Sequence, residues 1–294
     1  MDSRKSEKRE QKNKVSTILS LIEEDAAEDL SAVQEATEVK YLKDGEKEWL
    51  IRRESEEYKP LSLGYPLLDD LMGGGMLPGE LFTIGGDTGH GKSLFAMNIA
   101  QKVYTATQRP VLMINLELTE DQARERFYNL SGDDKDYSGI MVQSAPAVTY
   151  RDIDILMKRA KDEGACLVII DHLHFFSRSS DQATNELSRI MKHFKECAVM
   201  NELPVILLSH VTPNRDYSGG EVVKTHRPGL HNFKGSSSIE QDSDMVGFVF
   251  RDDEDKTKVE FYMKKNRSRQ LKTHTVVYTQ KDWKLDEQWW PLEK

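Results

Sequence analysis

The eight residues Gly86-Asp87-Thr88-Gly89-His90-Gly91-Lys92-Ser93 satisfy the pattern G-x-x-x-x-G-K-[ST]. A stretch of this kind does phosphate chemistry. Its glycines let backbone N–H groups curl around a β-phosphate, and a helix starting at the lysine adds the positive end of its dipole. Lys92 then reaches the β- and γ-oxygens, Ser93 offers a hydroxyl to Mg²⁺, and the binding stretch runs on to Leu94. Glycine-rich turns of other kinds share the composition. Here an apolar strand pattern, Leu81–Gly85, precedes the motif and a helical pattern, Lys92–Thr107, follows it, which is the context a P-loop requires.

Three further polar residues sit where apolar runs stop. Asp171 ends the run that begins at Cys166, and a carboxylate at the C-terminal edge of a buried strand either caps the next helix or holds a metal. Beside a P-loop the second Mg²⁺ contact is the expected role. Glu117 follows Val111–Leu116, and Thr119 with Gln122 makes a T-x-x-Q capping box that does not need it, so Glu117 is either a solvated loop residue or the group that orients water at a γ-phosphate. His210 follows Val205–Ser209 and is either structural or a donor to the γ-phosphate. Asp171-His172-Leu173-His174 also sets two histidines one residue apart, but with no other Cys or His close in sequence a zinc site is not expected.

The elements that must hold these residues follow from hydrophobic periodicity. Strands are expected at Leu81–Gly85, Val111–Leu116, Ile140–Gln143, Cys166–Asp171, Val205–Ser209, Met245–Phe250, Val259–Met263 and Thr275–Tyr278. Helices fit between the earlier ones at Lys92–Thr107, Thr119–Leu130, Arg151–Glu163 and Ala183–Glu202. The alternation predicts an α/β fold with a mostly parallel, helix-flanked sheet and antiparallel C-terminal strands. Val211 to Phe233, rich in Gly, Pro, Asn and Ser, is too long for a plain connection. With Lys234 at its edge it carries Arg215, Lys224 and Arg227 against Asp216 and Glu221, a locally basic loop suited to a phosphate backbone.

Residues 1–14 are charged without periodicity and are expected to be a disordered tail. Val15, Ile18, Leu19, Ile22, Leu30 and Val33 recur at helical spacing, so 15–59 reads as an amphipathic helix and an acidic segment, with a short strand around Trp49 to Ile51, and 60–294 as one domain. Residues 21–60 hold thirteen acidic against six basic residues, seven of the nine net negative charges, so the rest of the chain is close to neutral and can still meet nucleic acid. No apolar run approaches the roughly 20 residues that cross a bilayer, and no secretory signal opens the chain, so no membrane partner and a cytoplasmic setting are expected. Cys166 and Cys197 both lie in apolar segments and are expected as buried thiols.

The motifs Gly86–Ser93, Leu116-Glu117-Leu118, Asp171, Ser209-His210 and Gly235-Ser-Ser-Ser-Ile-Glu-Gln-Asp-Ser-Asp244, in this order, resemble the RecA-like motor domain of DnaB-type replicative helicases. The resemblance covers about residues 60 to 285, and Gly235–Asp244 with the strand to Arg251 is its most specific piece. It implies a RecA-like P-loop core and an ATP- and Mg²⁺-dependent helicase on single-stranded DNA. It also implies a homo-oligomeric ring, a hexamer, with a primase or helicase loader as partner, in a bacterial or phage-infected cell. Carried over by position, Glu117 is similar to the catalytic glutamate, Asp171 to the Walker B aspartate and His210 to the polar sensor. Lys265 and Arg267 resemble the basic pair offered to a neighbouring subunit's nucleotide; on a strand, two apart, they face one side. Arg251 and Tyr278 are placed like base-contacting residues. Neither the primase-recruiting helical domain nor a primase domain of the family is expected in these 294 residues. Met72–Gly79 and Lys265-Asn-Arg267 also look like RadA- or KaiC-type relatives, which leaves an ATPase without processive unwinding as the second reading.

Overall fold

The computed structural model describes residues 39, 41–55, 58–132, 136–144, 148–176, 183–218, 221–233, 236–251 and 255–288. The expected tail over 1–14, and the amphipathic helix over 15–36, lie outside them. The chain divides into two units, Met1–Ser55 and Glu56–Lys294. In the first, the strand expected around Trp49 to Ile51 is instead part of helix α1, Glu46–Arg53. Glu46 and Glu48 in its first turn and Arg52 and Arg53 in its last complement the helix dipole, and among the described residues of this unit there is no strand for a three-residue apolar run to pair with.

The second unit runs α2 (Pro66–Met72), β1 (Leu81–Gly86), α3 (Lys92–Thr107), β2 (Val111–Asn115), α4 (Glu120–Leu130), β3 (Ile140–Gln143), α5 (Ile153–Asp162), β4 (Leu167–Asp171), α6 (Ala183–Asn201), β5 (Val205–His210), β6 (Asn214–Ser218), β7 (Glu221–His226), α7 (Ser236–Asp242), β8 (Met245–Phe250), β9 (Lys258–Asn266), β10 (Thr275–Lys281) and β11 (Lys284–Gln288). One nine-stranded sheet has the order β11-β10-β9-β8-β1-β5-β4-β2-β3. From β3 to β8 every pairing is parallel, and β9, β10 and β11 extend that edge antiparallel. This is the predicted sheet with one strand more.

Both faces are covered, as parallel strands require. Phe82 and Ile84 of β1 point into a layer with Phe95, Ile99 and Val103 of α3 and Phe127 of α4. Leu81 of β1 and Leu207 of β5 point the other way, towards Ile190, Met191 and Phe194 of α6 and Met157 of α5. The long stretch after β5, expected as a loop too long for a plain connection, contains a hairpin: β6 and β7 form a separate antiparallel ribbon, and Val211 bridges to Phe233 at its base. No helix among the described residues is long and apolar enough to cross a membrane.

Candidate functional site

Parallel register aligns the strand ends that carry the predicted chemistry. Gly86 of β1 lies opposite His210 of β5, and Asn115 of β2 opposite Asp171 of β4. Between β1 and α3 the backbone turns through Gly89 (φ +81°) and Gly91 (φ +95°), a region that L side chains rarely adopt. Lys92 is buried, and its ammonium donates to the carbonyls of Gly86 (2.9 Å) and Asp87 (3.0 Å) and lies 3.2 Å from His210 Nδ1. Burial pushes the Lys92 amine below its usual range, opposed by the carboxylates of Asp171, Asp87 and Glu117. The Thr88 N–H donates to Asp87 Oδ1 at 2.7 Å, and the Arg251 N–H donates to His90 Nδ1 at 3.3 Å, which ties the loop to the end of β8.

The carboxylates gather on the same edge. Asp171 is 2% exposed, and burial first, then the Glu117 anion, pushes its carboxyl up to about 6 against a Ser93 hydrogen bond and the charges of Lys92 and Arg126. Ser93 and Asp171 are therefore two hard oxygen donors in contact, the second a buried carboxylate short of positive charge, and this donor set fits Mg²⁺. Asn115, which the sequence reading passed over, organises the group. Its amide donates to Asp171 Oδ2 (3.2 Å), while its oxygen accepts the N–H of Glu117 (3.0 Å) and of Leu118 (3.1 Å). The Thr119–Gln122 capping box is formed as predicted and starts α4 just beyond Glu117. Glu117 Oε1 lies 3.2 Å from Nδ1 of the buried His172, whose ring is 4.2 Å from that of His210. Burial, with His210, His174 and Lys92 close by, pushes His172 down to about 3, so it is neutral at ordinary pH.

Other expectations land elsewhere. Tyr278, expected beside a base, is fully buried, with its ring 5.0 Å from Tyr65 and 5.2 Å from Phe95, because strand alternation turns it inward with Val276. Arg251 lies against the P-loop, but its guanidinium donates to Gln280 and to the carbonyl of Lys256. β9 ends at Asn266, so Lys265 is on the strand and Arg267 just past it. Both nevertheless meet the end of α7, Lys265 donating to the carbonyls of Glu240 and Ser243 and Arg267 to that of Gln241. Gly235–Asp244 is largely structural where it is described: Asp244 accepts the Leu81 N–H (2.8 Å) and the Lys195 ammonium (2.6 Å), and Ser243 bonds Thr83 at 2.7 Å. In the basic ribbon Arg215 pairs with Asp87 of the P-loop and Arg227 with Glu260; the Lys224 side chain and Lys234 lie outside what is described. Asn115 and the Arg215–Asp87 pair are the site features the sequence reading missed, and a polar residue ending an all-apolar strand was the one available signal for the first; His172 was noted only as one of two histidines, without its Glu117 and His210 neighbours.

Residues 61–135 and 131–287 match the model of the DnaB-like helicase C terminal domain. The replicative DNA helicase DnaC of Bacillus subtilis (strain 168) is 28% identical over 243 residues, 71% of this chain and 52% of the relative. The replicative DNA helicase DnaB of Geobacillus stearothermophilus matches to the same extent. The chain thus spans about half the length of these curated relatives. Among solved structures, one described as an ATPase domain has a TM-score of 0.69 at 20% identity, covering 85% of this chain and 99% of that one. A DnaB-like replicative helicase whose structure is described together with its interactions with primase has a TM-score of 0.70 at 21% identity, covering 94% and 76%. At such identities the likeness is one of fold, the RecA-like ATPase core. Since the matched model reaches across the P-loop, the strand-end carboxylates and the antiparallel extension alike, the chain belongs to the family of the DnaB-like helicase C-terminal domain.

Proposed function

We propose that this chain is the motor of an ATP-dependent replicative DNA helicase, acting as a hexameric ring that translocates on single-stranded DNA and unwinds duplex. The observation that carries the reading is the convergence of Lys92, Glu117, Asp171 and His210 at the carboxyl ends of β1, β2, β4 and β5, in a chain of this family. Lys92 neutralises the β- and γ-phosphate oxygens, and the backbone of Gly86 to Ser93, continuing to Leu94, cradles them. Ser93 and Asp171 would hold Mg²⁺, which would supply positive charge against the phosphates of the nucleotide. Glu117 orients the attacking water and takes its proton, and His210 contacts the γ-phosphate in its place beside Lys92. Lys265 and Arg267 serve a neighbouring copy's nucleotide. Arg215, Lys224, Arg227 and Lys234 serve as the basic residues for DNA in the channel, and the helix expected over 15–36 joins neighbours. A primase or helicase loader is the further partner, and the cytoplasm of a bacterial or phage-infected cell the setting. The test is ATP hydrolysis with and without single-stranded DNA, run beside strand displacement on a forked duplex. DNA-stimulated hydrolysis with displacement is expected; stimulation without displacement would favour the RadA- or KaiC-type reading, and no hydrolysis under either condition would sink both.

A further inference from the structure

Two histidines one residue apart are a weak metal motif, but the fold brings other ligands to the first of them. Glu117 from the end of β2, His172 from the end of β4 and His210 from the end of β5 each offer a donor atom, and these atoms all lie within 4.8 Å of one another. His172 is 7% exposed, and its Nδ1 has no hydrogen-bond partner; its near neighbour is Glu117 Oε1 at 3.2 Å, off the line of a good bond. The His172 and His210 rings stand nearly perpendicular, 80° apart, with centroids 4.2 Å from each other.

We propose that Glu117, His172 and His210 form a binding site for a first-row transition-metal ion, Zn²⁺ or Co²⁺, next to and distinct in ligand chemistry from the Ser93–Asp171 pair. Two imidazoles and one carboxylate are a three-ligand zinc set that leaves a fourth position open. Imidazole nitrogen selects zinc, cobalt or nickel over magnesium, whereas a hydroxyl with a carboxylate does the reverse, so neighbouring donors sort two kinds of ion. Bonds of about 2.0–2.1 Å need the donors drawn together by roughly 1 Å. Glu117 can supply that movement, since its side chain is 42% exposed on the loop after β2. The positive neighbour is Lys92, which gives up its contact with His210 Nδ1 and keeps its two carbonyl partners. Filling the site takes both Glu117 and His210 away from the γ-phosphate. The ion is therefore an inhibitor of turnover, a consequence that rests on the function proposed above, whereas the binding itself does not.

The experiment uses the full, tag-free chain stripped of metal and nucleotide, titrated with Zn²⁺ against a chromophoric chelator and with Co²⁺ by visible absorption. One equivalent bound per chain, with a four-coordinate cobalt spectrum, is expected. His172→Gln and His210→Gln should each weaken binding by about 10²-fold, at least what loss of a supporting group alone costs. His231→Gln, on an exposed turn, should leave it unchanged. Equal affinity in wild type and the His172→Gln and His210→Gln variants, or no saturable binding, overturns the proposal. Where a variant does not fold, X-ray absorption on the zinc-loaded wild type decides, because a ligand set without two imidazoles also overturns it. Zn²⁺ should then suppress hydrolysis at saturating Mg²⁺. Zinc bound as described by a chain that never hydrolyses ATP would leave the site standing and remove the proposed function instead.

Discussion

Asn115 joins Asp171 to Glu117: one side-chain amide donates to the first across paired strands and accepts the backbone N–H groups that set the loop bearing the second. The carboxylate proposed for the metal and the backbone that bears the carboxylate proposed for the attacking water are thus tied through one side chain. Asn115→Ala should cost about 1–3 kcal/mol of stability, since it leaves buried polar groups unpaired. It should lower kcat by ~10²-fold while nucleotide affinity changes little, because a misplaced base damages the step and not the binding. Equal loss in both constants would show that Asn115 only supports the fold.

Lys92→Ala and Glu117→Gln should fail differently. The first removes the charge facing the phosphates and should abolish turnover in a folded protein. The second keeps size and hydrogen bonding, so ATP binding should survive while hydrolysis falls by ~10²-fold or more. Equilibrium binding of a fluorescent ATP analogue beside single-turnover hydrolysis separates them, and lost binding in Glu117→Gln would make that residue structural.

Asp171 should cost the empty protein stability. Its carboxyl is raised to about 6 in the folded state, above the usual 3.8, so the folded chain binds the extra proton between those values. Stability from this group is therefore retained below about 4 and lost as pH rises through about 6. Asp171→Asn, in chelator and without nucleotide, should be more stable by about 1–3 kcal/mol at pH 8 and no different near pH 3.5. Denaturant melts at the two pH values test this, and an unchanged or lower stability at pH 8 would show that the buried charge is already compensated.

Tyr278→Phe separates a core residue from a base contact. The hydroxyl is buried with no partner among the described residues, so its removal should be neutral or stabilising by ~1 kcal/mol and leave nucleotide affinity unchanged. A drop in affinity would support the base-contacting role.

Lys265 and Arg267 are expected to act between copies. Mixing Arg267→Ala with Lys92→Ala protein should create interfaces with one intact P-loop and one intact basic pair, recovering part of the ATPase activity absent from either alone. No recovery in rings shown to exchange subunits would count against action in trans.

Most of the sheet was legible because parallel strands covered on both faces are continuous apolar runs. β3 and β8 begin and end where the pattern predicted, as does α3. β11 was invisible for the opposite reason: Lys284–Gln288 buries only Leu285 and reads as a polar turn. α2 and α7, seven residues each, are too short for a helical period to register. Within the site, the P-loop and the strand-end Asp171 and His210 could be read because their residue types are unusual where they stand. The partners of Asn115 and His172 could not, since they come from register between β2, β4 and β5, which no local pattern encodes.

The position of β1 also bears on how the chain is made. It is the first of the described strands to be synthesised, yet it lies between β5 and β8, and its six residues are all buried. A nascent chain that has released Gly86 must still extend to Val205 before β1 has a first neighbour and to Met245 before it has a second. At ordinary elongation rates that interval is roughly 10 s. During it, an apolar strand and the glycine turn after it emerge with nothing to pair with, so this molecule should depend on chaperones during translation, and chains truncated before β5 should aggregate instead of binding nucleotide.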